Sequence, residues 1–441
     1  MTRPLFEDDW RQSCAEIDEL DPGWRWDDLT AKRPSLSPEE DSLQIIYDAD
    51  DGVVPAHFFG SGASFEVSET IGNLSINELR DRTNPEFDII AFAERLLASR
   101  PGQWPAMKQP VMLNLPLSLW SRISRVTSML RVQAALAAKE GRADDCLLIA
   151  RAILCVTRAA MEPPCLMSLI VANAKRRYAS HSIMQAMQYG EPSELALATV
   201  QAEMQASLEY PFMRDAIRGE RAMFEQMVLA WKRGEIKQPW SPWKLVVYVL
   251  MPMKTLHEIT FHCLYGNEFD NRRATLLLRY YTAIAELLKE SPDAMQDHPD
   301  AMARINKDAG YVTRKSAYAF RRVHLIDRMN RGLLACVIAA VAAERYRQET
   351  GRWPDSLSEI PGCLDIVPIN PHTLEAVAYW RGRDSVRVRS RGKKFEYTGG
   401  LLPLIGGFMR GNAVVQLYDV PVRHRFLKDC HGNAGPNVNP S

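Results

Sequence analysis

The sequence predicts a mainly α protein, built as antiparallel helical hairpins in a solenoid-like stack and followed by a small α+β module near the C-terminal end. Three observations carry this. Apolar residues recur at helical spacing from Leu119 to about Gln238. Glycine and proline cut that stretch into lengths suited to helices joined by short turns. After Gly351 the pattern changes to short alternating, β-rich pieces separated by Arg-Gly turns.

Taken in order, residues 1–110 read as irregular and rich in Pro, Gly and Asp. Asp21-Pro22-Gly23-Trp24-Arg25-Trp26 is a turn followed by aromatic anchors. Strand-like pieces are expected at Gln44–Tyr47 and near Val53–Phe59, and a helix over Phe87–Leu97 that Pro101 ends. A helical-hairpin domain follows over 111–315. There Ile123, Val126, Leu130 and Ala134 mark one apolar stripe, and Leu147, Ala150 and Leu154 mark the next. A third helix runs from about Leu166 to Tyr189, closed by Gly190. Ser193 opens a fourth, with Leu195, Ala198 and Ala202 on its inner face. Further helices are expected at Asn271–Glu290 and Ser316–Thr350. The C-terminal module, 316–426, adds a meander of Ala376–Trp380, Ser385–Ser390 and Lys394–Thr398, and residues 427–441 read as a disordered tail. The segment LRVQAALAAKEGRADDCLLIARAIL is like one tetratricopeptide unit, but no exact period repeats.

Composition bounds the class. The 441 residues are 46% hydrophobic and 24% charged, an ordinary globular balance that suits two or three domains. Basic and acidic residues both number 54, so no global field gathers nucleic acid or acidic membranes, and nucleic acid is not expected as a partner. The eight cysteines form no C-x-x-C pair, which reads as buried thiols rather than a zinc knuckle or disulfide framework. The first residues turn acidic at once, unlike a signal peptide. The longest apolar run, Leu333–Ala343, is far shorter than the roughly 20 residues of a membrane span and reads as a core helix. The chain is therefore expected to be soluble as written.

No G-x-S-x-G, P-loop, G-x-G-x-x-G or kinase motif set is present. His257 and His262 are five apart and diverge by about 140° on a helix. Glu258 and His262 are four apart and are the better metal candidates, though no third ligand is evident. Cys430-His431 with His424 is a weaker set. No cofactor is expected. The most unusual helical feature is MRDAIRGERAMFEQMVLAW. Arg214, Arg218, Arg221 and Glu225 share one face beside an apolar stripe of Met213, Ile217, Phe224 and Val228. Either this is a solvated face with an ion pair, or the arginines line a groove that grips a carboxylate or phosphate. Gly219 inside this helix suggests close approach of another backbone. In the meander, Val386 and Val388 alternate with Arg387 and Arg389, giving one apolar and one cationic face. That face either protects a sheet edge or binds an anionic polymer.

The run Ala342-Ala343-Glu344-Arg345-Tyr346-Arg347-Gln348-Glu349-Thr350-Gly351-Arg352-Trp353-Pro354-Asp355-Ser356-Leu357 resembles a segment of type II secretion major pseudopilins, where a long helix ends in an ERYR-like run before a G-R-[YW]-P-x-S-L turn. Pro368-Ile369-Asn370-Pro371 and Ala378-Tyr379-Trp380 are similar to the pattern that follows there, with Asn370 in place of an acid and His372 in place of an aromatic residue. The calcium-binding acidic loop and the prepilin-peptidase signature of that family have no counterpart here, so assembly into a pilus is not expected. Most of the chain resembles a large family of planctomycete proteins. The resemblance rests on DPGWRWDDLTAKRP (21–34), ARAIL…EPPCLMSLIVANA, Arg218-Gly219-Glu220-Arg221 and ERYRQETGRWPDSL. It implies a membrane-anchored or envelope-associated protein, since such proteins often begin with a membrane-spanning helix just before the D-P-G-W segment. It implies no activity.

The expected function is a non-enzymatic scaffold or protein-interaction protein, with protein as the partner, possession of a membrane anchor depending on a longer N-terminus. The alternatives are a metal-dependent enzyme, or an envelope component that binds anionic polymers.

Overall fold

The apolar stripes set the helices, and in the computed structural model those stripes face a common interior. It describes residues 3–31, 34–53, 71–72, 74–101, 117–235, 271–308, 310–360, 364, 367–371, 373–391 and 412–431. Over these residues the chain is mostly helical, with a small antiparallel sheet near its C-terminal end.

The first part is more regular than its composition suggests. It forms α1 (Arg3–Leu20), α2 (Trp26–Ala31), α3 (Ser42–Val53), α4 (Ile76–Arg80) and α5 (Ile89–Ala98). The strand expected at Gln44–Tyr47 is instead part of α3, and most of the piece near Val53–Phe59 lies outside the described residues. The reason lies in the spacing. Leu43, Ile46 and Ala49 are three apart and all buried, so α3 presents one helical stripe that a four-residue window does not reveal. Asp41 supports its start by accepting from the Leu43 N–H at 2.9 Å. Asp88 caps α5, accepting from Ile90 and Ala91.

The hairpin region comprises α6 (Leu117–Lys139), α7 (Ala143–Ala160), α8 (Leu166–Tyr189), α9 (Glu194–Glu209) and α10 (Phe212–Lys232). Gly141, at φ +78°, turns α6 into α7 while Arg142 N–H returns to the Ala137 carbonyl at 2.9 Å. Ile123, Val126, Leu130 and Ala134 are fully buried, as their spacing requires. The inner face of α9 differs from expectation: Leu195 is 78% exposed, whereas Leu197, Val200 and Met204 are buried. Both sets have helical spacing in this alanine-rich helix. Packing against α7 and the long helix described next selects the larger side chains.

Beyond this come α11 (Asn271–Leu287), α12 (Ala294–Asp297), α13 (Pro299–Asp308) and α14 (Gly310–Thr350). Leu334–Ala343, within the longest apolar run, has no exposed residue, so that run is core. No helix among the described residues is long and apolar enough to cross a membrane. Strands β1 (Ala378–Arg381), β2 (Ser385–Arg391) and β3 (Asn412–Tyr418) form an antiparallel sheet in that order. Val386 pairs with Leu417 and Val388 with Val415, and these four buried side chains lay the sheet on α14. The strand expected at Lys394–Thr398 lies outside the described residues; the third strand is β3. A last helix, α15 (Val420–His431), occupies the start of the segment expected to be a disordered tail. It is held because Arg423 is fully buried, as shown below.

The stack curls around α8, which touches α6, α7, α10, α14, α15 and β3. One hydrophobic cluster runs from Trp10 on α1 to Leu417 on β3, so the helical body and the sheet share a core. A β-carbon built on Gly219 of α10 would lie 1.7 Å from the carbonyl oxygen of Pro164, at the corner between α7 and α8. That backbone contact explains the glycine. Gly219→Ala is expected to lower stability by about 3 kcal/mol, the upper range for overpacking, read as a lower urea midpoint. An unchanged midpoint would show that α10 does not sit against Pro164.

Candidate functional site

The residues of the arginine helix go to different places. On α10, Arg218 makes a bidentate pair with Asp21, both hydrogen bonds being 2.8 Å long. Arg221, with no exposed surface, also bonds Asp21, donates to the Thr282 hydroxyl at 3.3 Å and lies 5.0 Å from the centre of the Trp24 ring. Burial alone would raise the Asp21 carboxyl, but the two arginines outweigh it and hold it below its ordinary value. Glu225, raised by burial, faces Arg25 at 3.7 Å. Arg218, Arg221 and Glu225 therefore do not line an open groove. They clasp the Asp21–Arg25 turn onto α10, and the D-P-G-W and R-G-E-R motifs are two halves of one joint.

Glu220, between these arginines, points the other way and accepts from the Leu166 N–H at 3.2 Å, at the start of α8. Burial pushes its carboxyl up to about 7.

A second joint is made by the segment from Glu344 to Leu357. Glu344 and Arg423 are both fully buried and pair through hydrogen bonds of 2.8 and 2.6 Å, while Arg347 joins Glu344 at 2.8 Å. Arg423 also donates to the Gly190 carbonyl at 3.1 Å. Gly351, at φ +75°, ends α14, and its N–H returns to the Arg347 carbonyl at 2.8 Å. Buried Trp353 then folds back and donates to Asp419, while the Tyr379 hydroxyl donates to the Pro354 carbonyl at 2.8 Å. The E-R-Y-R…G-R-W-P run thus fastens α15 and the sheet to α14. Sequence reading missed Asp21 and Arg423 as partners because nothing local to either marks a buried ion pair.

Arg214, the first of the four, has a different setting. It lines a cleft of about 170 Å³ where the α9–α10 corner meets α14, together with the cations Arg176, Lys289 and Arg331, the acids Glu209, Glu290 and Asp327, and the rings of Tyr210 and Phe212. Arg176 is held rigidly: its guanidinium lies 3.9 Å from the centre of the Phe212 ring, donates to Ser207 Oγ at 3.2 Å and faces Asp327 at 3.5 Å. Burial lowers it to about 10, so it stays charged at neutral pH. Arg331 pairs with Asp293 at 2.8 Å. Arg214 has no hydrogen bond or ion pair among the described residues, and its Nε is buried without an acceptor. Arg176 and Arg331 are each paired with an aspartate, so Arg214 is the guanidinium of this cleft left unspent among the described residues, and such a fork is suited to a carboxylate or phosphate.

The sheet arginines are elsewhere. Arg387 is exposed on the outer face, donates to Gln416 at 2.9 Å and sits across from Trp380, while Arg389 is half-buried. Glu258 and His262 lie outside the described residues, as do the side chains of Cys430 and His431. Among the described residues no group of three His, Cys, Asp or Glu side chains is placed to hold a metal ion. Burial pushes the Cys146, Cys165 and Cys336 thiols up to about 12, which suits thiols packed as small apolar groups. Compared with known protein families, curated proteins and solved structures, the chain finds no match.

The Glu220 carboxyl gives a pH test of the first joint. Its folded value of about 7 lies above the ordinary 4.5, so the native chain holds the extra proton between those values. Stability is then full below pH 4.5 and falls as pH rises to about 7, by about 3 kcal/mol in all. Glu220→Gln should remove that fall, so the variant gains on the wild type in urea unfolding at pH 8 relative to pH 4.5. A constant difference between the two proteins at both pH values would place Glu220 in solvent.

Proposed function

We propose that this chain is a non-enzymatic binding protein whose helical body takes an acidic group of a protein partner in the cleft beside Arg214. The observation that carries the reading is the Arg214 guanidinium, unspent among the described residues and facing the same space as Arg176 and Arg331. The other arginines of α10 are consumed in holding the fold, which makes the exception meaningful. Phe212, Met213 and Leu288 add an apolar wall, as ligand sites commonly combine few polar groups with apolar surface. Association with the bacterial cell envelope, implied by the family resemblance, is part of the same proposal.

The test uses a short oligo-glutamate peptide and the full chain. Arg214→Ala breaks no hydrogen bond among the described residues, so stability should stay within about 0.5 kcal/mol of wild type. Peptide affinity should fall at least about tenfold, the loss of one charge-assisted contact. Wild-type protein that ignores the peptide, or a variant that binds it equally well, would overturn the reading.

A second reading has its own observation. Trp380 is 43% exposed and lies across the strand from Arg387, a pairing of aromatic and cationic surface suited to an anionic polymer. Arg387→Glu with Arg389→Glu should then abolish retention on heparin and its steep salt dependence. Retention that survives the double change would remove the sheet from consideration.

A further inference from the structure

Most of the charges that line the Arg214 cleft are already answered within the fold. Arg176 faces Asp327 at 3.5 Å, and Arg331 pairs with Asp293 at 2.8 Å. Lys289 pairs with Glu286 at 2.6 Å, and Glu290 lies 2.8 Å from the His298 ring nitrogen. Arg214 and Glu209 are the lining charges left without a hydrogen bond or ion pair among the described residues, and no such bond joins them to each other. They are of opposite sign.

Neither charge is placed for the benefit of its own helix. Glu209 is the last residue of α9, and Arg214 lies in the first turn of α10. A helix C-terminus carries partial negative charge and an N-terminus partial positive charge, so each side chain has the sign that its helix end disfavours. The two ends abut, with Tyr210 and Pro211 alone between α9 and α10. A ligand cation beside Glu209 and a ligand anion beside Arg214 would each meet a side chain and a helix end of favourable sign. Tyr210 adds aromatic surface suited to the cation: it is 46% exposed, and its ring centre lies 4.4 Å from that of Phe212. The cleft of about 170 Å³ equals the liquid volume of about six waters, room for one or two side chains.

We propose that the partner segment taken by this cleft is of mixed charge, an acid and a base close together, which rests on the reading of Arg214 as a carboxylate site and narrows its ligand. The carboxylate is held by Arg214, and the ammonium or guanidinium by Glu209 and the face of Tyr210. Arg214 attracts any acidic segment. Glu209 discriminates, because a run of acids brings a like charge against it, whereas a mixed segment satisfies both side chains. A free amino acid carries the same two kinds of charge, so competition distinguishes that source from a protein segment.

The experiment titrates the full chain by calorimetry with two end-blocked peptides of equal length, oligo-glutamate and alternating glutamate–lysine. The alternating peptide should bind about fivefold tighter, the upper worth of an exposed ion pair. Glu209→Gln should erase that preference without weakening oligo-glutamate binding. It should also leave the urea midpoint no lower, since Glu209 is exposed and has no partner among the described residues. Arg214→Ala should weaken both peptides. A wild type that prefers oligo-glutamate, or a preference that survives Glu209→Gln, would overturn the mixed-charge ligand and leave Arg214 standing as a carboxylate site. Binding of both peptides that Arg214→Ala leaves unaltered would remove the cleft itself. Free lysine and free glutamate at millimolar concentration should not displace the alternating peptide. Displacement would make the ligand a small zwitterion and overturn the partner segment.

Discussion

Where α10 crosses the corner between α7 and α8, the Pro164 carbonyl occupies the space that a β-carbon at residue 219 would need. That approach fixes how near α10 comes to α8, and the flanking residues depend on it. Glu220 reaches the first turn of α8 only because the backbones are this close, and Arg218 and Arg221 then project toward Asp21 on the far side. Four consecutive residues tie three parts of the chain together. Buried ion pairs of this sort add little net stability over well-packed apolar residues. Losing one partner is costly, because the other is left charged and dry. Their effect here is to allow one arrangement of the N-terminal turn and to penalise others.

The C-terminal joint repeats this logic with different residues. Glu344 follows directly on the most apolar stretch of α14, where a lone carboxylate would be strongly disfavoured. Two arginines compensate it, and one of them, Arg423, brings α15 against α14 and Gly190. The two joints use up the arginines that looked most eligible for binding. Against that background Arg214 and its cleft acquire meaning, since the ligand-binding reading rests on charge that the fold does not consume.

Much of the architecture was legible from residue order. Helix limits at Leu166–Tyr189, the inward stripes on α6 and α10, the core role of Leu333–Ala343 and the switch to strands after Gly351 all follow from periodicity and from glycine and proline. The failures share a cause. At Gln44–Tyr47 and on α9, two patterns were locally equivalent, and only burial against neighbours separated them. The site was half legible. Periodicity correctly placed Arg214, Arg218, Arg221 and Glu225 on one face of a helix, but it could not say what each one meets.

The sequence by itself determined a mainly helical chain with a small antiparallel sheet, apolar runs long enough for a core, and a stripe of arginines on one helix. Spacing along a single chain is a local property, and these features are local. Tertiary structure alone decided that Asp21 and Arg218 meet from opposite ends of the N-terminal half, that Glu344 finds Arg423, and that Arg214 is left facing a cleft. The physical reason is that the environment of a charge depends on residues distant in sequence. Whether a guanidinium is a structural tie or a ligand-binding group depends on whether an acid arrives beside it when the helices pack.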